Sequence, residues 1–343
     1  MHMTLFAIAT ILPVALIGAA ALAGGIWPWA ALFYMTVFTA LLDRYMPRLL
    51  PEATDGAEFP SGKILSVVLG GLHFTLLVTL LAAVSRGDVG LADRVVTLVA
   101  GGLWFGQVAH PNAHELIHND ARAARRLGRA IYASLLMGHH ASAHLLVHHV
   151  HVGTGSDPNS APEGLGFYRF CSRAWGGSFG AGLRAENALR ARAQTPPPVW
   201  SHPYLGYGLI AAVVLAASLL LAGPAGLAAC LFLALHAQMQ ILLSDYVQHY
   251  GLRRAVRDGG KPEPVGDAHS WNSPHWFSSA LMVNAPRHSD HHLHPDRPYP
   301  ALRLRGTMPI LPHTLPVMGA IALYPPLWRR IMRRALARLP GRA

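Results

Sequence analysis

The side chains here with the most to offer chemically are histidines, 21 in 343 residues. Thirteen of them fall into four short runs, and nine of those are the candidate ligands. The run HPNAHELIHND holds His114 and His118 at i and i+4. On a helix that spacing puts both imidazoles on one face, about one turn apart, where they can share a metal. HASAHLLVHHVH holds His144, His148 and His149. Helical spacing puts His144 and His148 on one face there, with His149 on its flank. SDYVQHYGL holds His249, and APRHSDHHLHP holds His288, His291 and His292 at i, i+3 and i+4. Neutral imidazole is a general ligand for first-row metals, iron and zinc included. The scattered residues His2, His73, His202, His236 and His313 read as packed or interfacial groups. His110, His140, His151 and His294 at the edges of the runs, and His139, His269 and His275 near them, read as supporting or surface groups.

His114-Glu115-Leu116-Ile117-His118 is formally HExxH, in which two histidines hold zinc and the glutamate is a general base. A catalytic zinc takes three protein ligands and one open position, which leaves most of the other histidines without a role. A metal transporter would place its ligands near the bilayer midplane, whereas these runs follow the apolar segments. A pair of metals, each with about four or five nitrogen donors, accounts for all the runs.

The elements that must position these runs are membrane helices. Hydrophobic residues make up 52% of the chain and charged residues 13%, about half the share usual in soluble domains. No charged residue occurs before Asp43. Stretches of about 20 apolar residues suffice to cross a bilayer. The pattern gives an all-α integral membrane protein with about six spans, near 4–25, 27–42, 64–84, 95–112, 204–222 and 225–245. They pair as hairpins around Gly24-Gly25, Arg86–Arg94 and Gly223-Pro224. A cleaved signal peptide is excluded, because the first apolar run is too long and no basic residue precedes it. Basic residues crowd the opposite connections: Arg44, Arg48 and Lys63, then Arg122, Arg125, Arg126 and Arg129, then Arg253, Arg254 and Arg257, then Arg329, Arg330, Arg333 and Arg334. By the positive-inside rule these loops and both termini are cytoplasmic. The histidines then form a cytoplasmic cap from segments 110–203 and 244–343, within one domain covering 1–343. The net charge of +11 is thereby a topology signal and not a nucleic-acid footprint. Cys171 and Cys230 are too few for a fused rubredoxin or ferredoxin.

HELIHN, the His144/His148/His149 run, DYVQHYGL and RHSDHH, in this order, resemble the signatures of the membrane alkane 1-monooxygenases. That family lies within the integral-membrane fatty acid desaturases and hydroxylases. Ser156-Asp157-Pro158, Phe167-Tyr168-Arg169-Phe170, His269-Ser270-Trp271-Asn272-Ser273 and Pro325-Pro326-Leu327-Trp328 extend the resemblance from about Phe105 to Trp328. Ala143, Gln248, Asp245 and Ile117 depart from the family pattern, so the metal ligands match while the acidic surroundings are rearranged. The resemblance implies a cytoplasmic di-iron site held by His114, His118, His144, His148, His149, His249, His288, His291 and His292. It also implies dioxygen as co-substrate and hydroxylation of a terminal C–H bond. An alkyl chain, a terpenoid or an aromatic methyl group would fit the same ligands; a desaturase would use them too.

Glu115 and Asp290 lie between ligands and are the expected carboxylate partners of the histidine rings. Asp245 and Asn272 are weaker candidates, and Asp157 is expected to make a turn with Pro158. The substrate is expected from the bilayer, through a cleft lined by the apolar faces of the first four spans; of the bulky Trp27, Trp29, Phe33 and Trp104 one could limit chain length, while Trp27 and Trp29 flank Pro28 at a span end and read first as headgroup anchors. Electrons would come from a separate rubredoxin or other small iron–sulfur donor with its reductase, docked on the basic cytoplasmic face of the inner membrane.

Overall fold

The computed structural model describes residues 2–46 and 59–340. Arg48 lies outside them. The described residues are helical, and their extended pairing is limited to two isolated bridges, Val256 with Pro262 and Asn272 with Ile310.

Helix α1 (His2–Ala23) and helix α2 (Ile26–Tyr45) form a hairpin built from apolar sequence that carries no charge before Asp43. The reversal falls at Gly24 and Gly25, with φ of 60° and 66°, a region that side-chain-bearing residues enter only with strain. The Gly25 N–H donates to Asp93 Oδ2 at 2.7 Å, fastening this turn to the next hairpin. Helix α3 (Pro60–Ala83) has Pro60 in its first turn, where no N–H is needed. Helix α4 (91–118) runs unbroken into the first histidine run. It widens into a π-turn at Phe105–Ala109. Pro111 can give no hydrogen bond to the Gln107 carbonyl, and a wider turn relieves the clash of its ring with the preceding turn.

Helix α5 (Arg122–Ser134) and helix α6 (139–151) carry the chain over the end of α4, and helix α7 (Phe167–Ala191) covers α6. Helix α8 (Pro203–His249) is broken at Ala222 and Gly223, where Gly223 has φ 61°. A Cβ on Gly226 would fall 2.3 Å from the Ser218 carbonyl oxygen, so the two legs meet too tightly for a side chain there. Four helices among the described residues are long and apolar enough to cross a membrane: Met3–Ala23, Ile26–Tyr45, Pro60–Ala83 and the broken α8. The fourth expected span, 95–112, lies within α4, which is helical but not among those four.

Short helices close the cap: α9 (Trp276–Leu281), α10 (His288–Leu293), α11 (Leu315–Ala322) and α12 (Pro325–Leu336). Asp43, buried in α2, accepts the Phe277 and Ser278 N–H groups at 3.1 Å each. It thus caps α9 and ties the cap to the first hairpin. Trp328 of α12 packs its ring against Tyr246 and Tyr250 at 5.1 and 5.2 Å, beside the end of α8 that bears His249.

Candidate metal centre

All nine clustered histidines converge, from α4, α6, α8 and α10. They form two adjoining sets, His114, His118, His144, His149 and His291 in one, and His148, His249, His288 and His292 in the other. Within each set the potential ligand atoms all lie within 4.8 Å of one another. In the first set the Nε2 atoms of His114 and His144 are 2.7 Å apart, those of His149 and His144 2.9 Å, and those of His291 and His149 3.2 Å. In the second, His249 and His288 are 3.0 Å apart and His292 and His288 3.2 Å. Donors about 2.1 Å from one ion stand about 3.0 Å apart at right angles and about 3.4 Å apart in a tetrahedron. The spacings are those of rings that could share one ion. His118 Nε2 and His148 Nε2 are buried without a hydrogen-bond partner, as lone pairs reserved for a metal would be.

The division differs from the one read off helical spacing. His144 belongs with His149 and not with His148. The cause is local: residues His144–His148 form a π-turn, whose wider winding brings positions i and i+5 into line. His148 is thereby turned to the second set, near His249 and His292 at ring separations of 4.7 and 5.0 Å. Within α10, His288 and His292 share the second set at i and i+4 while His291 faces the first. Burial, reinforced by neighbouring imidazoles, holds His114, His144, His149, His288, His291 and His292 well below the ordinary histidine range. They are therefore neutral at physiological pH, the form in which imidazole binds a metal.

The carboxylates around the rings are not the expected pair. Asp157 is the direct partner: His148 Nδ1–H donates to its Oδ2 at 2.8 Å, both side chains being almost wholly enclosed. Burial opposes charge on both groups, but their attraction, with help from Ser160 Oγ and the Asn159 N–H, holds Asp157 below the usual carboxylate range. The turn expected at Asp157 is also present, since its Oδ1 accepts that Asn159 N–H; one carboxylate serves both ends. Asp290, fully buried, instead takes Arg297 at 2.6 Å, the Arg303 N–H at 2.9 Å and Arg305 at 3.4 Å. None of the nine rings is among its hydrogen-bond partners. Glu115, pushed up to about 7 by burial, is steadied by the Tyr299 backbone and Lys63. With three further histidines gathered around the HExxH pair, the three-ligand zinc arrangement is not what this segment builds. Asp245 accepts from Asn159 Nδ2 at 2.6 Å and Asn272 grips Ser289 of α10 through both ends of its amide, at 2.8 and 2.9 Å.

A profile of the family described as "Fatty acid desaturase" matches residues 92–320. The "Alkane 1-monooxygenase" of Ectopseudomonas oleovorans is 33% identical over 276 residues, 79% of this chain and 67% of that protein. The chain belongs to the fatty acid desaturase family, among the alkane monooxygenases. "Alkane 1-monooxygenase 2" of Pseudomonas aeruginosa is 29% identical over 89% of this chain and 83% of its own length. The "Xylene/toluene monooxygenase hydroxylase component XylM" of Pseudomonas putida is 26% identical over 89% and 81%. This member of the family is accordingly an oxidoreductase and a membrane protein, and its paired histidine sets support a di-iron oxygenase.

The monooxygenase carries an apolar cavity of about 400 Å³ between α2, α4, the second leg of α8 and α11, with Met35, Leu103, Met239, Leu243 and Leu315 on its walls. At Ser244 it adjoins a small space of about 20 Å³ bounded by His114, His144, His288, Asp245 and Gln248 among others. That space has room for about one water-sized molecule. None of the four bulky residues considered as chain-length limits lines this cavity. Trp27, Trp29 and Phe33 are exposed on the outer surface, and Trp104 is buried with its Nε1–H given to the Thr10 carbonyl. The wall contributed by α11 lies after the last histidine run, where nothing in the pattern of ligands announces it.

Proposed function

We propose that this chain is a di-iron monooxygenase of the inner membrane that hydroxylates the terminal C–H bond of an apolar substrate drawn from the bilayer. The observation that carries the proposal is the apolar cavity meeting, at Ser244, the space bounded by both histidine sets. On this reading His114, His118, His144, His149 and His291 hold one iron, and His148, His249, His288 and His292 the other. Bound there, the irons would supply dioxygen activation and removal of hydrogen from an unactivated C–H bond. One oxygen atom goes to carbon and the other leaves as water, with two electrons and two protons supplied from outside. The chain is read as about six crossings with the histidine cap and both termini cytoplasmic, because the basic connections share that side.

The protein's own contribution is positioning. Asp157 fixes the His148 tautomer so that Nε2 presents its lone pair inward. Asn272 sets the start of α10 and hence the directions of His288, His291 and His292. Neutral ligands leave the metal charge uncancelled, and Asp157 and Asp245 are the carboxylates placed to offset it. The cavity walls exclude water and hold a chain end toward Ser244. The electron donor is read as an acidic rubredoxin-type protein meeting the arginines of α5 and α12.

Purification in detergent, metal quantitation and assay against alkanes, alkyl aromatics and fatty acids tests the reading. The expected result is a pair of irons per chain and an alcohol product. A single zinc with peptide hydrolysis, or an alkene in place of the alcohol, would overturn it.

A further inference from the structure

Helix α7 buries one stripe and leaves a neighbouring flank uncovered. Phe170, Ala174, Ser178 and Gly182, four residues apart, face inward, and Glu186 continues the stripe by accepting the Ser142 hydroxyl of α6 at 2.6 Å. Trp175 and Phe179 share one flank, and each is 41% exposed. Behind them lies His139, its ring 5.3 Å from each of theirs. After α7 the chain turns back through Pro197 and Pro198, whose carbonyls accept from Arg190 at 3.1 and 2.7 Å. Arg190 also donates to Ser201 Oγ at 3.1 Å. The turn so fastened presents Val199 and Trp200, 76% and 81% exposed, just ahead of Pro203, where α8 begins. Large apolar side chains this uncovered mark a surface that has a partner.

Where this flank stands along α8 identifies the partner. Trp175 Nε1–H donates to Gln238 Oε1 on the second leg at 2.9 Å. Phe179 packs its ring on Tyr204, in the first turn of the first leg, at 5.3 Å, and its carbonyl accepts the Tyr204 hydroxyl at 2.9 Å. At the helical rise, Tyr204 lies about 28 Å from the reversal at Gly223 and Gln238 about 22 Å. The hydrocarbon core of a bilayer is about 30 Å thick. With α8 spanning it, α7 meets both legs at one margin of that core, where tryptophan and tyrosine are enriched. His249, by the same count, lies about 39 Å from the reversal, out in the cap. Arg184 and Arg192, exposed toward the end of α7, add positive charge that suits headgroup phosphates.

We infer that α7 and the turn 197–201 lie in the plane of the membrane as a lipid anchor, with Trp175, Phe179, Val199 and Trp200 at the boundary between headgroups and acyl chains. The partner is the phospholipid layer in which α8 stands. An aromatic flank on a helix rich in arginine is the pattern of helices that lie on a bilayer. The buried stripe of α7 meanwhile holds α6, the helix of His144, His148 and His149. The lipid surface thereby becomes the floor over which those ligands are held.

The unaltered full chain is placed in nanodiscs, one chain per disc, whose phospholipid carries a photoreactive diazirine on the acyl carbons nearest the headgroup. Adducts are mapped by mass spectrometry after irradiation. Cleavage at arginine isolates residues 174–184, with Trp175 and Phe179. Adducts should fall on that peptide and on Val199 and Trp200, and be missing from the exposed cap loop 255–261. A bare 174–184 peptide and bare Val199 and Trp200, with Leu205 of α8 labelled in the same sample, would overturn the anchor without recourse to any variant. Adducts that vanish when two chains share a disc would assign the flank to a second copy, which also overturns it. Phe179→Asp with Trp200→Asp should lose the adducts on both segments while Leu205 stays labelled; unchanged adducts there would count against insertion.

Discussion

Asp157→Asn removes one charge and keeps the shape of the side chain. In the structure that carboxylate receives the His148 Nδ1–H at 2.8 Å, the Ser160 hydroxyl at 2.7 Å and the Asn159 N–H at 3.0 Å. Its side chain is 1% exposed and that of His148 4%, so water cannot substitute. A buried hydrogen bond to a charged group contributes about 1.5–3 kcal/mol. Losing the outer partner of a metal-bound histidine typically costs about 10–100-fold in metal affinity, or about 1.4–2.8 kcal/mol, and the two estimates agree. Because His148 belongs to the four-histidine set, the loss should fall on that set alone. The assay is iron per chain after equilibration against graded chelator, with Mössbauer spectra to separate the two environments. The expected variant loses one iron at roughly ten- to hundred-fold lower chelator strength while the five-histidine set stays filled. If both irons are released together, at the concentration seen in the unaltered protein, then the assignment of Asp157 to His148 has no energetic content and the division into sets is wrong.

Asp290→Asn should behave in the opposite way. Its buried carboxylate holds Arg297, Arg305 and the Arg303 N–H, so thermal unfolding in detergent should come earlier, by the equivalent of about 1.5–3 kcal/mol, with iron per folded chain unchanged. His144→Ala and His292→Ala should each abolish metal at a different set, which partial-occupancy spectra would distinguish; identical residual spectra would contradict the pairing of His144 with His149. Ala40→Phe narrows the apolar cavity and should remove the longest substrates from the product profile while sparing short ones. Turnover limited by the electron donor should fall as salt is raised through about 0.15 M, and Arg329→Glu with Arg330→Glu should steepen the donor requirement; a salt-independent rate would exclude electrostatic docking.

Much of this was legible in the residues before any coordinates. Composition required a helical membrane protein, and the paired glycines at 24 and 25 and the glycine at 223 marked reversals that the backbone makes with positive φ. The residue types and order of the four histidine runs pointed to a shared metal-binding centre, and the structure gathers all nine rings into two adjoining sets that could hold metal. Which ring serves which set was decided elsewhere. A ring's direction depends on helix phase, and the π-turn at His144–His148 shifts that phase, so His149 replaces His148 beside His144. Local spacing assumes a regular helix and cannot anticipate the shift. The carboxylates followed the same logic. Asp290 is nearest to ligands in sequence but turns to arginines, while Asp157, read as a turn residue, reaches His148 because the loop folds back over α6. The cavity wall was the least legible of all, since Gln107, His236 and α11 meet only when distant helices pack. Sequence set the chemical identity of the donors, because identity is local; tertiary packing set their aim, because a lone pair or a carboxylate acts along a direction that only the assembled fold defines.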